Sequence, residues 1–321
     1  MTNTVTTLNL QSIFLILLII SGCKPRSDQV IENQSSTFIN YIKDSKKNKV
    51  PINVASDFSY TLENLDIRGL DMSNVNLSNV HIINCSFTQI DLSGAIIQGA
   101  KIKNSRLEKC DLTNVKFSTS IVEGSSFAFS SFNNASFQDI SFSNSDFTNS
   151  SFQDSNLENI IFQFSNLDQI SFAQGTIHKS QFIKTSLQNS TLTNMQILST
   201  ILFGINLSKS VWNGVSMDKI VGISNNFNGI KFSAISMKDT QFVQSNFNNS
   251  SFQDSSIINS DFHESFFIKS NLLNTQVKNC NLKGVIFNNT SISPGFSDTS
   301  GDGAIYDVKT AYSDPLELEL R

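Results

Sequence analysis

From Leu62 to Ile292 every fifth residue is a large apolar one, and no insertion breaks the register. The column has 47 positions; Leu, Ile, Val, Met, Phe or Trp fills 46 of them, and Gly222 is the exception. Apolar residues make up 39% of the chain, so chance does not produce such a column. A period of five fits neither a helix, which repeats every 3.6 residues, nor a strand, which alternates every two. It requires a chain that turns inward once in five residues.

A second column lies two residues before the first and runs Leu65, Leu70, Val75, Val80, Cys85 and onward to Thr290. It has 46 positions, all small or apolar except Asn225, and Ser dominates its middle, as at Ser145, Ser150 and Ser155. The remaining three places in each five are mostly Asn, Ser, Thr, Asp, Gln and Lys. One large and one small side chain therefore point inward per repeat, and three polar ones point out. Such repetition at a short fixed period marks a solenoid. Abundant Asn and Ser with few apolar residues would suit a disordered chain, but strict apolar columns argue against one.

The units Ser151-Phe152, Asn156-Leu157, Asn166-Leu167 and Asn246-Phe247 have Ser150, Ser155, Ser165 and Ser245 two places before the large residue. In this the chain resembles the pentapeptide-repeat family. The resemblance implies an all-β fold, a right-handed quadrilateral β-helix with four pentapeptides to a coil. Forty-seven pentapeptides then make about twelve coils, and at a strand spacing of ~4.8 Å the rod is about 55 Å long. Residues twenty apart should stack. Phe142, Phe162 and Phe182 would form one ladder, Phe132, Phe152 and Phe172 another on the next wall, and Phe127 would lie over Phe147. Nineteen of the 27 Phe residues fall in the large column. Burying each such side chain contributes roughly 1.5–3 kcal/mol against the entropy of ordering the chain.

The expected organisation is residues 1–22 as a lipoprotein signal peptide, 23–61 as a polar tether and N-terminal cap, 62–292 as the β-helix and 293–321 as a C-terminal tail. Residues 1–22 hold no charged side chain, and Ile13 to Ile20 form an apolar core. That core is shorter than the about 20 residues a membrane-spanning helix needs and suits a signal peptide. Ile20-Ser21-Gly22-Cys23 follows and resembles the bacterial lipobox. The resemblance implies cleavage before Cys23, lipid on its thiol and attachment to a membrane of the cell envelope. Lys24, where an Asp would hold an enterobacterial lipoprotein at the inner membrane, favours the outer one. The alternative is an unprocessed apolar terminus on a cytosolic protein. A short helix is expected near residues 36–46, since an open solenoid end exposes unpaired backbone and needs a cover. The tail, with Pro294, Gly295, Gly301 and Gly303, either seals the last coil or stays loose.

Catalytic chemistry finds no support in the residues. Cys85, Cys110 and Cys280 all fall in the small inner column on different walls and form no CxxC pair, so they read as buried small hydrophobes. His81, His178 and His263 lie apart, whereas a metal site needs clustered ligands. No G-x-S-x-G, H-E-x-x-H, P-loop or G-x-G-x-x-G occurs. Flat solvated walls neither exclude water nor hold a substrate. The expectation is a non-enzyme with no cofactor, no metal, no small-molecule substrate and no nucleic-acid ligand.

Some members of the resembled family protect DNA gyrase by mimicking duplex DNA, and a cytosolic regulator of a topoisomerase-like enzyme is the alternative function. Duplex DNA carries one charge per about 1.7 Å, so a mimic of this length wants on the order of thirty. Between Leu62 and Ile292 there are 17 acidic and 15 basic residues, a net of 15 − 17 = −2. The six acids between Phe117 and His178 scatter around the rod, and Lys101, Lys103, Arg106, Lys109 and Lys116 gather within about one coil beside Glu108 and Asp111. Both read as solvated surface.

One outward face departs from the polar rule. Around Leu202, Ile201 and Val221 precede the large residue, while Ile183, Phe203, Ile223 and Val243 follow it. Ile121 and Ile161 extend the run sparsely, and Gly222 and Asn225, the two breaks in the inner columns, fall in the same coil. An exposed apolar stripe of this size marks a contact surface, for a protein partner or a second copy. A local bulge turning these side chains inward, or a tail folded over them, would explain them otherwise.

Overall fold

The computed structural model describes residues 27–292, 296–297, 299–301, 303–305 and 311–312. Parallel strands stack coil on coil in four sheets, one for each wall of a rod of about twelve coils. Wall one holds ten strands, from Thr61–Glu63 to Gln241–Val243. Wall two holds three, from Asp66–Arg68 to Arg106–Glu108, and continues as single bridges such as Ser126↔Asp146. Wall three holds eight, from Ser171–Ala173 to Ala311–Tyr312, and wall four eleven, from Ile96–Gln98 to Phe296–Ser297. In wall one Phe142 pairs Phe162 and Phe162 pairs Phe182, an offset of twenty each time.

The phenylalanine ladders stand as the period demands. Ring centroids are 4.9 Å apart for Phe142 over Phe162 and for Phe132 over Phe152, and 5.1 Å for Phe127 over Phe147. One expectation is corrected. The Phe132 ladder belongs to wall three, opposite the Phe142 ladder rather than on the next wall, because ten residues is half a coil. Rings on adjoining walls instead meet edge to face, as Phe142 does Phe147 at 5.0 Å and 89°, or tilted, as Phe127 does Phe132 at 5.9 Å and 56°. Offset-stacked and edge-to-face pairs are the arrangements the ring quadrupole prefers.

The corners explain the outward polar residues. All 46 residues at fivefold spacing from Asn64 to Asn289 have φ between 48° and 69°. This left-handed region costs an ordinary residue roughly 1–2 kcal/mol, and Asn and Gly enter it most easily. Asn accordingly fills 17 of these positions and Gly 8.

Serine in the small column has its own cause. The N–H of that position faces the interior, away from the strand ladder. At some corners it closes a turn, as Val75 N–H does on Met72 O. Elsewhere a hydroxyl one coil on accepts it: Cys110 N–H donates to Ser130 Oγ at 3.0 Å, and Ser130 Oγ donates to Leu107 O at 3.0 Å. A buried N–H without a partner costs about 1–3 kcal/mol, so each such hydroxyl removes a cost of closing its coil.

Asn225 does the same work with a longer group. It accepts from Ile205 N–H at 3.0 Å and donates through Nδ2 to Leu202 O at 3.0 Å. Gly222 makes the room: a Cβ there would lie 2.5 Å from Phe242 Cδ1 and 2.9 Å from Asn225 Nδ2. The two breaks are one compensated exchange. Register through this coil is unbroken, Ile201 pairing Val221 and Val221 pairing Gln241, so there is no bulge.

A helix, Ser27–Lys47, covers the first coil. It starts earlier than the sequence suggests, and part of the expected tether is therefore cap. Phe38 and Ile42 are buried in the core, Ser35 Oγ accepts Asp66 N–H at 2.9 Å, and Lys46 Nζ meets Asp71 Oδ1 at 3.0 Å. Partial burial raises the Asp71 pKa, but hydrogen bonds from Ser73 and Lys46 and the Lys46 charge hold it below the usual range. Strand pairing runs on past Ile292: Phe296–Ser297 joins wall four, and Ala311–Tyr312 joins wall three.

Candidate contact wall

Cys23 lies outside the described residues, as does the whole of 1–22. The described residues include no helix long and apolar enough to cross a membrane and no cluster of three metal-ligating side chains.

The stripe residues come together on wall one. Its strands present their middle residue to the core and their outer two to solvent, so the six residues occupy the two outward rows. In one row Ile183 pairs Phe203, Phe203 pairs Ile223, and Ile223 pairs Val243; in the other Ile201 pairs Val221. Neighbours in a row are one strand spacing apart, about 4.8 Å. Ile201 is 42% and Phe203 41% exposed, Val221 and Ile223 are exposed too, and Ile183 and Val243 are half-buried. Toward the N-terminus the run thins, since Ser141 and Gln181 separate Ile121, Ile161 and Ile201.

Phe164 belongs to the same surface, and the fivefold reading missed it. It sits at the corner leaving wall one, 50% exposed, and its N–H donates to Ile183 O at 3.0 Å. Its φ of 52° sets a bulky side chain at a left-handed position, where few large residues occur. Lys184 Nζ lies 5.6 Å from the Phe164 ring centroid. An aromatic at a corner position, where Asn and Gly fill most places and Phe129 on another corner is the other ring, was the available signal.

Charges lie beyond both ends of the stripe. Lys101 and Lys103 stand on wall one toward the N-terminus, with Lys103 Nζ 3.3 Å from Glu123 Oε2. Toward the C-terminus Asp261 Oδ1 meets His263 Nδ1 at 2.8 Å, Glu264 accepts from Gln244 at 2.9 Å, and Lys283 follows one coil on. His178 Nδ1 is 3.8 Å from Glu158 on wall four. The three histidines thus lie on two walls and at separate levels.

The interior offers little space. Voids among the ring ladders hold about 20 Å³ each, one of them lined by Phe152, Phe162, Phe172 and Phe182. Larger concavities are open grooves of about 450 and 630 Å³ beside the cap helix. Cys85, Cys110 and Cys280 are free and buried. Burial pushes all three thiols up, Cys110 to about 11. Their thiolates are disfavoured, and the thiolate is the nucleophile and the metal ligand.

The chain matches the family model for pentapeptide repeats in eight copies, over residues 71–108, 110–149, 125–163, 235–272 and 245–284. No curated protein matches it. Among solved structures it is similar to trypsin-treated QnrB1, a plasmid-mediated fluoroquinolone resistance protein, at 14% identity and a TM-score of 0.35, covering 70% of this chain and 90% of that one. It is similar to HetL, a pentapeptide-repeat protein involved in heterocyst differentiation regulation from the cyanobacterium Nostoc, at 14% identity and a TM-score of 0.30, covering 77% and 87%. The catalytic domain of a GH87 α-1,3-glucanase is also similar, at 10% identity and a TM-score of 0.36, covering 78% and 64%. At such scores none of these likenesses bears on function. The matched repeats and the four-walled coil agree with each other: this chain carries pentapeptide repeats, and they wind into a parallel β-helix of about twelve coils.

Proposed function

We propose that this protein is a non-enzymatic, lipid-anchored scaffold of the bacterial cell envelope that binds another envelope component through wall one. The observation that carries the binding role is the exposed pair Phe203 and Ile223, continued by half-buried Val243, beside exposed Ile201 and Val221. Soluble rods gain nothing from such a row, and apolar patches of this kind mark contact surfaces. Anchoring rests on Ile20-Ser21-Gly22-Cys23 and the apolar segment before it. A non-catalytic role is supported by walls too flat to exclude water and by thiols held protonated.

Two experiments test the two parts. A labelled fatty acid should enter the wild-type chain and be absent from Cys23→Ala; equal labelling, or none in either, removes the anchor. Crosslinking and mass spectrometry on the native envelope should find partners that vanish when Phe203 and Ile223 are both replaced by Asp. Partners unchanged by that double replacement would remove wall one as the contact. The cytosolic topoisomerase-regulator reading needs an acidic surface that this chain lacks, with its net of 15 − 17 = −2 over the β-helix.

A further inference from the structure

The geometry points to a second copy of this chain as the occupant of wall one, docked face to face with its rod reversed. This deepens the contact-surface reading and rests on it. A two-fold contact must be self-complementary, each patch meeting its own symmetry mate. At the centre of the stripe, about the coil of Leu202, wall one meets that condition. Ile201 and Phe203 lie at the centre. One coil to either side are Ile183 and the pair Val221 and Ile223; two coils to either side are Ile161 with Phe164, and Val243. Apolar side chains thus occur at equal steps from the centre in both directions.

The two-fold axis would run along the strands. Coil order then inverts across the contact while each outward row faces its own counterpart. Phe203 meets Phe203 of the other copy, Ile201 meets Ile201 and Ile183 meets Ile223, while Val221, Val243 and Ile161 meet the stems of Gln181, Gln163 and Gln241. Four coils from the centre in one direction is Glu123, and four coils in the other is Lys283, both on the same row and both exposed. Reversal therefore sets each Glu123 against the other copy's Lys283. Parallel docking would instead place Lys101 against Lys103, like charge on like charge, which is destabilising. Acids (Glu123, Asp261, Glu264) and bases (Lys101, Lys103, Lys283) balance on this wall, so it has no net charge to draw it to anionic headgroups, whereas reversed docking pairs Glu123 with Lys283.

The area predicts a weak contact. Nine coils at ~4.8 Å by a three-residue strand at ~3.3 Å per residue give a face of about 430 Å². Both copies together bury about 850 Å², below the roughly 1,200 Å² at which stable interfaces begin. The dimer should therefore form in the micromolar range rather than below it.

Sedimentation velocity of the full chain in mild detergent, across about 1–200 μM, tests this at the concentrations where a weak interface shows itself. Reversible dimerisation is expected, abolished by Phe203→Asp with Ile223→Asp while the circular dichroism spectrum stays that of the wild type. Glu123→Lys should weaken the dimer about tenfold, since each contact occurs twice, and adding Lys283→Glu should restore it. Loss of Lys103–Glu123 within one copy cannot be mended by Lys283→Glu, so restoration reads the contact between copies. A dimer that survives the paired Asp replacements overturns both the second copy and wall one. Failure of the charge swap to restore overturns the reversed docking. A monomer at every concentration, with stripe-dependent capture of another protein, overturns the second copy and leaves wall one standing. Stripe-dependent flotation of Cys23→Ala chain on vesicles of phosphatidylethanolamine and phosphatidylglycerol, without dimer, assigns the wall to lipid and overturns the proposal.

Discussion

Gly222 and Asn225 should behave as one unit, and a double-mutant cycle will show it. Replacing Gly222 by Leu restores the large column but meets an occupied space. Its Cβ would begin 2.5 Å from Phe242 Cδ1 and 2.8 Å from Cε1, where carbon atoms rest at about 3.5–4.0 Å. Something must move by about 1 Å in a close-packed interior, at a cost of about 1–3 kcal/mol. Asn225→Ser keeps a hydroxyl able to accept from Ile205 N–H and donate to Leu202 O, as Ser130 does for Cys110 and Leu107. What it loses is volume, roughly 25 Å³, and at about 24 cal/mol per Å³ the cavity costs on the order of 0.6 kcal/mol. Together the two changes recreate the ordinary repeat: Leu occupies the space that the carboxamide vacates, and the Phe242 ring swings back toward its ladder. The coupling should be favourable by about 1–3 kcal/mol. Guanidinium unfolding, followed by far-ultraviolet dichroism and by the emission of the lone Trp212, measures all four corners of the cycle. Single costs that add to within about 0.5 kcal/mol would show that the two sites do not share this space.

Other perturbations read separate parts of the design. Ser105→Ala strands the buried Cys85 N–H, which donates to Ser105 Oγ at 3.1 Å; a loss of about 1–3 kcal/mol is expected, while Ser136→Ala on the exposed face should stay within about 0.5 kcal/mol. Phe142→Ala removes a ring that touches Phe117, Phe127, Phe147 and Phe162 and should cost about 3–5 kcal/mol in the same unfolding assay. Thr119 is a β-branched residue at φ 50°, so Thr119→Gly relieves about 1–2 kcal/mol of left-handed strain against about 0.5–1 kcal/mol of added chain entropy and should raise stability by about 0.5–1 kcal/mol; destabilisation would refute the corner argument. The Cys110 thiol is pushed up to about 11 by burial, above the ordinary thiol range of about 8.5. The fold thus holds that proton more tightly than the unfolded chain does. The stability this brings is whole below about pH 8.5 and is lost as pH rises toward 11. Cys110→Ala should make the fall of the unfolding midpoint over that window shallower, Cys85 and Cys280 keeping their own share, and an unchanged slope would show that the thiol makes no contribution.

The sequence alone carried the architecture, because a solenoid repeats one local decision. A side chain entering the interior every five residues calls for a coil, and the family resemblance implied four such units to each coil, so that residues twenty apart stack. That is why the ladders of Phe142 and Phe127, the burial of three cysteines and the membership of wall one were all readable. The cap was half readable: an exposed end needs a cover, but the extent of Ser27–Lys47 depends on contacts of Phe38, Ile42 and Ser35 with a coil distant in sequence. Tertiary structure decided the rest. The left-handed corner at every fifth residue follows from the closing angle of the coil, and only then does Phe164 stand out as misplaced and join the stripe. The hydroxyl ladder depends on which inward N–H lacks a turn partner, and that is set by the coil above. Gly222 and Asn225 looked like two defects in the pattern; stacked against Leu202 and Phe242 they are one exchange of volume and hydrogen bonds.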